Sequence, residues 1–255
     1  VNDARSSGSP APDDFYVGYL ALPASDRRAL RFLTPAILWL LVVVAGLAAL
    51  AQRSPGNAVW DNGKPIVREG TLRAAPYPML VLDDERSVLM LVEQGKHGAQ
   101  GRSAPHDGRR VRVTGWRLAR DGRSMLELVP DASAIEETSA SNASGPLVPV
   151  RVARSVTLQG EIVDFKCYLG AMKPGDGKTH KACATLCIQS GIPPMLVTRG
   201  EDGAIEYLLL EDEDGGAAGD RVLEFVGEAI EARGELRTIG DLKVLRLVAG
   251  SLRRI

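Results

Sequence analysis

The sequence predicts a mainly β protein: one N-terminal transmembrane helix, then two small five-stranded barrels built to one plan, the second with a Cys/His insert. Three observations carry this. Phe32 to Gln52 is free of charge and mostly apolar, about 20 residues that match a hydrocarbon core of roughly 30 Å. Two segments on either side of a polar linker share landmarks: Gly70 precedes Pro78-Met79-Leu80-Val81, and Gly160 precedes Pro194-Met195-Leu196-Val197. All 3 cysteines, with His180, fall within 21 residues that only the second copy contains.

Composition excludes some functions at once. With 31 basic and 32 acidic residues the formal charge is −1, so no global field draws the chain to nucleic acid. Apolar residues at 45% supply ordinary cores.

From the N-terminus, residues 1–14 are polar and rich in Pro, Ser and Gly, the composition of a disordered tail. Phe15, Tyr16 and Tyr19 follow, suited to the headgroup layer or to docking on a neighbouring membrane subunit. Pro35 suits the first turn of the apolar helix. Arg27, Arg28 and Arg31 crowd its N-terminal side, whereas Arg53 alone follows closely. The positive-inside bias then makes 1–31 a cytoplasmic tail, 32–52 the span, and the rest periplasmic or otherwise extracytoplasmic. Ala49-Leu50-Ala51 could pass as a signal-peptidase site, but the long polar leader favours an uncleaved anchor.

Residues 60–130 form the expected first domain, 131–150 a small, polar linker, and 151–255 the second domain. Each domain ends in alternating apolar and polar residues around a glycine turn, the pattern of a β-hairpin: Gly115 precedes Leu126 by 11 residues, and Gly234 precedes Leu245 by 11. In the second domain, AAGDRVLEFVG supplies a helical connection before that hairpin. A bent strand, two middle strands, a connection and a closing hairpin, over about 66–129 and 155–252, resembles the OB-fold. The resemblance implies that the insert, 167–193, occupies the loop between the first two strands, on a face that often binds ligands.

The insert reads C-x12-H-x2-C-x3-C over Cys167, His180, Cys183 and Cys187. Three thiolates and an imidazole suit tetrahedral zinc first, with iron or Cu(I) possible. Positions 180, 183 and 187 share a helix face, yet His180 and Cys187 lie about 10 Å apart along its axis. Convergence needs His180 at a frayed first turn and Cys167 completing the set from the first strand. Two other readings stay open. Cys167 could form a disulfide with Cys183 or Cys187, as suits an oxidising compartment. Or a thiol activated by Lys166, Lys173, Lys178 and Lys181, four of the seven lysines, could be redox-active.

Other signals are weaker. Gly177-Lys178-Thr179 ends like a phosphate loop, but Met172 stands where that motif needs glycine. His97 and His106 read as solvated loop residues, Glu211 to Asp214 as a solvated turn, and Glu161 and Asp164 as surface carboxylates unless they orient His180. No G-x-S-x-G, H-E-x-x-H or C-x-x-C-H occurs, which argues against a catalytic domain or covalent haem. The expectation is an anchored metal-binding accessory protein, a non-catalytic subunit or assembly factor serving the subunits of a membrane respiratory or redox complex. The alternatives are a thiol–disulfide redox protein, a disulfide-stapled spacer, or a metal or haem chaperone, since the layout is similar to membrane-anchored OB barrels of haem delivery.

Overall fold

A computed structural model describes residues 24–51, 57–84, 86–138, 151–200 and 202–255, without side chains at Ser25 and 151–153. The expected tail at 1–14, the Phe15–Tyr19 cluster and Gln52 to Arg53 lie outside the described residues, as do 139–150 of the linker.

Helix α1 (Ala24–Ala51) is long and apolar enough to cross a membrane, and nearly all of its apolar side chains are exposed. That is compatible with a single-pass anchor or a signal sequence. It begins before the uncharged run, so Pro35 lies inside the helix rather than in its first turn. The apolar run limits what hydrocarbon tolerates, whereas the backbone keeps bonding itself through Asp26, Arg27, Arg28 and Arg31. Asp26 in the first turn also suits the positive end of the helix dipole.

The remainder holds two closed five-stranded, OB-like barrels. The first uses β1 (Val59–Arg73), β2 (Met79–Leu82), β3 (Val88–Val92), β4 (Arg110–Arg120) and β5 (Arg123–Leu128), in the order β1-β2-β3-β5-β4, closed by β1 with β4. A short β6 (Ile135–Glu137) pairs with β4, so residues whose composition reads as linker still belong to this barrel. The second repeats the plan with β7 (Arg151–Asp164), β8 (Pro194–Arg199), β9 (Ile205–Glu211), β10 (Ala229–Ile239) and β11 (Leu242–Leu247), plus β12 (Arg253–Arg254) on β10. In each, the third and fifth strands are the parallel pair, which requires a crossover. Short helices α2 (Gln100–Ser103) and α4 (Gly219–Val222) lie in those crossovers, while α3 (Lys181–Gln189) belongs to the insert.

The repeated landmarks do the same work twice. A Cβ on Gly70 would lie 2.1 Å from the Val81 carbonyl oxygen, and one on Gly160 would lie 2.2 Å from that of Val197. Only glycine lets the bent first strand cross the second so closely.

Alternation then sorts the side chains of the repeated Met-Leu-Val. Leu80 and Leu196 point into their own barrels, whereas Met79, Val81, Met195 and Val197 point outward. An outer face of a small barrel is normally wet. Here the outer faces of β2, β3 and β5 meet those of β8, β9 and β11 in a third core, with Met90, Met125, Tyr207, Leu209 and Val244 all buried. The two barrels thus share one apolar seam, and the insert lies along it.

Candidate metal centre

The insert leaves the barrel at the end of β7 and returns at β8, and its base is closed where Phe165 N–H donates to Pro193 O at 3.1 Å. A π-type turn, Cys167–Ala171, follows directly, and α3 comes later. Helical periodicity splits α3 between two cores. Ala184 and Ile188 join the interior of the second barrel, while Cys187, with partly buried Cys183 packed against it, faces the seam. Phe165, Tyr168, Leu169 and Ile192 also enter the seam.

Cys167, His180, Cys183 and Cys187, with Asp164, form a cluster that could bind a metal ion. Ligand atoms of Cys167, His180 and Cys183 lie within 4.8 Å of one another, as do those of Asp164, Cys167 and Cys187. The two groups overlap at Cys167 rather than forming one set of four, which reflects the rise between His180 and Cys187 along the chain. His180 is the residue before the first turn of α3, at φ −97° and ψ −10°, the frayed position that convergence requires. The three thiols are free.

Asp164 is fully buried, not a surface carboxylate. One of its oxygens, Oδ1, accepts the Cys167 N–H at 2.8 Å, and Oδ2 lies 3.0 Å from His180 Nε2. The other acid, Glu161, is half-buried and accepts the Gly177 N–H at 2.5 Å. Burial pushes its pKa upward, and its bond to Gly177 ties it to the insert.

The cation at the sulfurs is not one of the four lysines that the sequence places nearby. Lys166 turns away to the first barrel, Lys181 bonds Glu228 Oε1 at 2.5 Å, and Lys173 and Lys178 are exposed. Instead Lys96, from the loop after β3, places Nζ 2.7 Å from Cys183 Sγ and 3.7 Å from Cys187 Sγ. Its bond to Cys183 raises the Lys96 pKa. A hydrogen bond from Cys167 lowers the Cys187 pKa to about 7, against the opposing effect of burial, and Cys167 is correspondingly raised. Lys96 escaped the sequence reading because its contact spans 87 positions; the uncommon lysine in an otherwise small, polar loop was the only available signal.

The remaining candidates separate cleanly. His97 is exposed, and His106 Nδ1 lies 3.0 Å from Glu137 Oε1, so neither approaches the cluster as a ligand. Glu211 is buried against Arg237 at 2.9 Å and Arg246 at 3.4 Å, which corrects its assignment to a solvated turn. Alternation along β9 puts it on the outer face with Tyr207 and Leu209, where burial raises its pKa.

The described architecture is therefore an apolar helix and two like barrels whose seam carries a Cys/His/Asp cluster. No protein-family model, curated protein or solved structure matches the chain.

Proposed function

We propose that this chain is a membrane-anchored, extracytoplasmic metal-binding accessory protein. A single-pass anchor presents the two barrels, and Cys167, His180, Cys183 and Cys187 hold one ion, zinc first and iron or copper next. The observation that supports this most is the gathering of all the chain's thiols with a buried histidine that a buried carboxylate orients. An ionised Asp164 can only accept, so Nε2 carries the proton and Nδ1 is left with a lone pair for the ion. Sulfur-rich donors suit zinc, and four protein ligands leave no open position for substrate water. That favours a binding role over catalysis. The arginines before the apolar run support an inward N-terminus. A non-catalytic subunit or assembly factor of a membrane respiratory or redox complex is the role that fits such an anchored, closed site.

Elemental analysis of the purified full chain, with thiol counting, tests this. One ion per chain and thiols protected until a chelator is added are expected. An ion-free chain with freely reacting thiols sinks the proposal. It would leave the second reading, thiol redox, which the lowered pKa of Cys187 favours. That reading requires reversible oxidation by a small disulfide.

A further inference from the structure

One segment of the thiol-free barrel holds the insert at both of its ends and at the sulfurs. Ahead of the cluster, buried Lys166 donates to the carbonyls of Glu93 at 2.8 Å and Gly95 at 2.7 Å, and lies 2.9 Å from Glu127 Oε2. Behind it, Gly98 N–H donates to Ser190 O at 2.8 Å, and Gln100 Nε2 donates to Gly191 O at 2.9 Å. Between these anchors Lys96 reaches Cys183 and Cys187. There is no slack in this approach: a Cβ on Gly98 would lie 2.3 Å from the Gly191 carbonyl oxygen. The charges also match. Three thiolates and a neutral imidazole around a divalent ion leave one excess negative charge, and an ammonium that donates to sulfur offsets it.

We propose that the metal centre is a two-barrel site, in which Lys96 is a positioning residue from the first barrel and ion binding and barrel docking form one coupled equilibrium. This rests on the metal-binding reading. The coupling is reciprocal: whatever the ion adds to docking, docking adds to ion affinity. The first barrel has no cysteine of its own, yet it sets how tightly the second holds its ion.

The test uses the full chain in detergent, titrated with Zn2+ against a chromophoric chelator, with Co2+ as a spectroscopic probe of thiolate ligation. Neither Lys96→Met nor Gly98→Ala removes a ligand, and each is expected to weaken Zn2+ binding on the order of 10-fold, as loss of a supporting contact does. Lys96→Arg, which keeps a cation there, is expected to retain most of the affinity; a merely space-filling role would not distinguish it from Lys96→Met. Should Gly98→Ala fail to fold, the Lys96 pair still decides. Unchanged affinity in Lys96→Met overturns the coupling while leaving the metal reading intact. Wild-type chain that takes up no ion overturns both.

Discussion

Oδ2 of Asp164 lies 3.0 Å from Nε2 of His180, and the two side chains are 0% and 5% exposed. A buried carboxylate facing a buried imidazole holds the ring's orientation before any ion arrives. Asp164 is also anchored itself, through the Cys167 amide, so the same carboxylate positions two candidate ligands.

Replacing it by asparagine keeps the shape but removes the charge. Asp164→Asn is expected to weaken Zn2+ binding by about 10–100-fold, the range for such supporting contacts. Competition with a chromophoric chelator measures this, and affinity within a factor of about two of wild type would remove Asp164 from the site.

His180→Ala acts in two states. In the metal-free protein it leaves a buried carboxylate oxygen without its partner, a cost of about 1–3 kcal/mol. In the metal-loaded protein the ligand is lost as well. Thermal unfolding should show that a chelator lowers the Tm of wild type but barely changes that of the variant. Because Ala184 and Ile188 pack into the second barrel's interior, chelated wild type should keep its β circular-dichroism signal.

The Lys166–Glu127 pair crosses the seam with both side chains buried, 4% and 3% exposed. Lys166→Met leaves Glu127 uncompensated and is expected to cost about 3–5 kcal/mol in denaturant unfolding. Adding Glu127→Gln removes the orphaned charge and should recover much of the loss. A double variant no more stable than Lys166→Met would show that the pair does not act as a unit.

Cys187 makes metal-free stability depend on pH. Its folded pKa, about 7, lies below the unfolded value, so its contribution is present above the unfolded pKa and is lost as pH falls through about 7. Cys167 is raised and opposes this only at higher pH, where the unfolded chain ionises it first. Stability of the chelated protein should therefore rise from about pH 7 to about pH 9, with Cys187→Ser flattening the rise. A flat wild-type profile in urea unfolding would refute the assignment.

Much of the fold was legible because it rests on local rules. Period-two alternation, the repeated Gly and Pro-Met-Leu-Val landmarks and an uncharged run are properties of neighbours in the chain. The helical end of the insert, with His180 just outside the first turn, followed in the same way. Alternation could not say what covers an outer face, so Met79 and Met195 did not reveal the shared seam. Asp164 and Glu211 looked solvated for the same reason: charge predicts exposure only until a fold supplies buried partners.

The sequence by itself determined that there are two barrels of one design, an apolar helix, and a thiol-rich segment that only one barrel contains. Tertiary structure alone decided that this segment faces the other barrel, that Asp164 holds His180, and that Lys96 meets the sulfurs in place of its four nearer counterparts. The reason is range. Side-chain periodicity is set by bonds between adjacent residues, whereas a contact between positions 96 and 183 exists only once two separately closed barrels have docked.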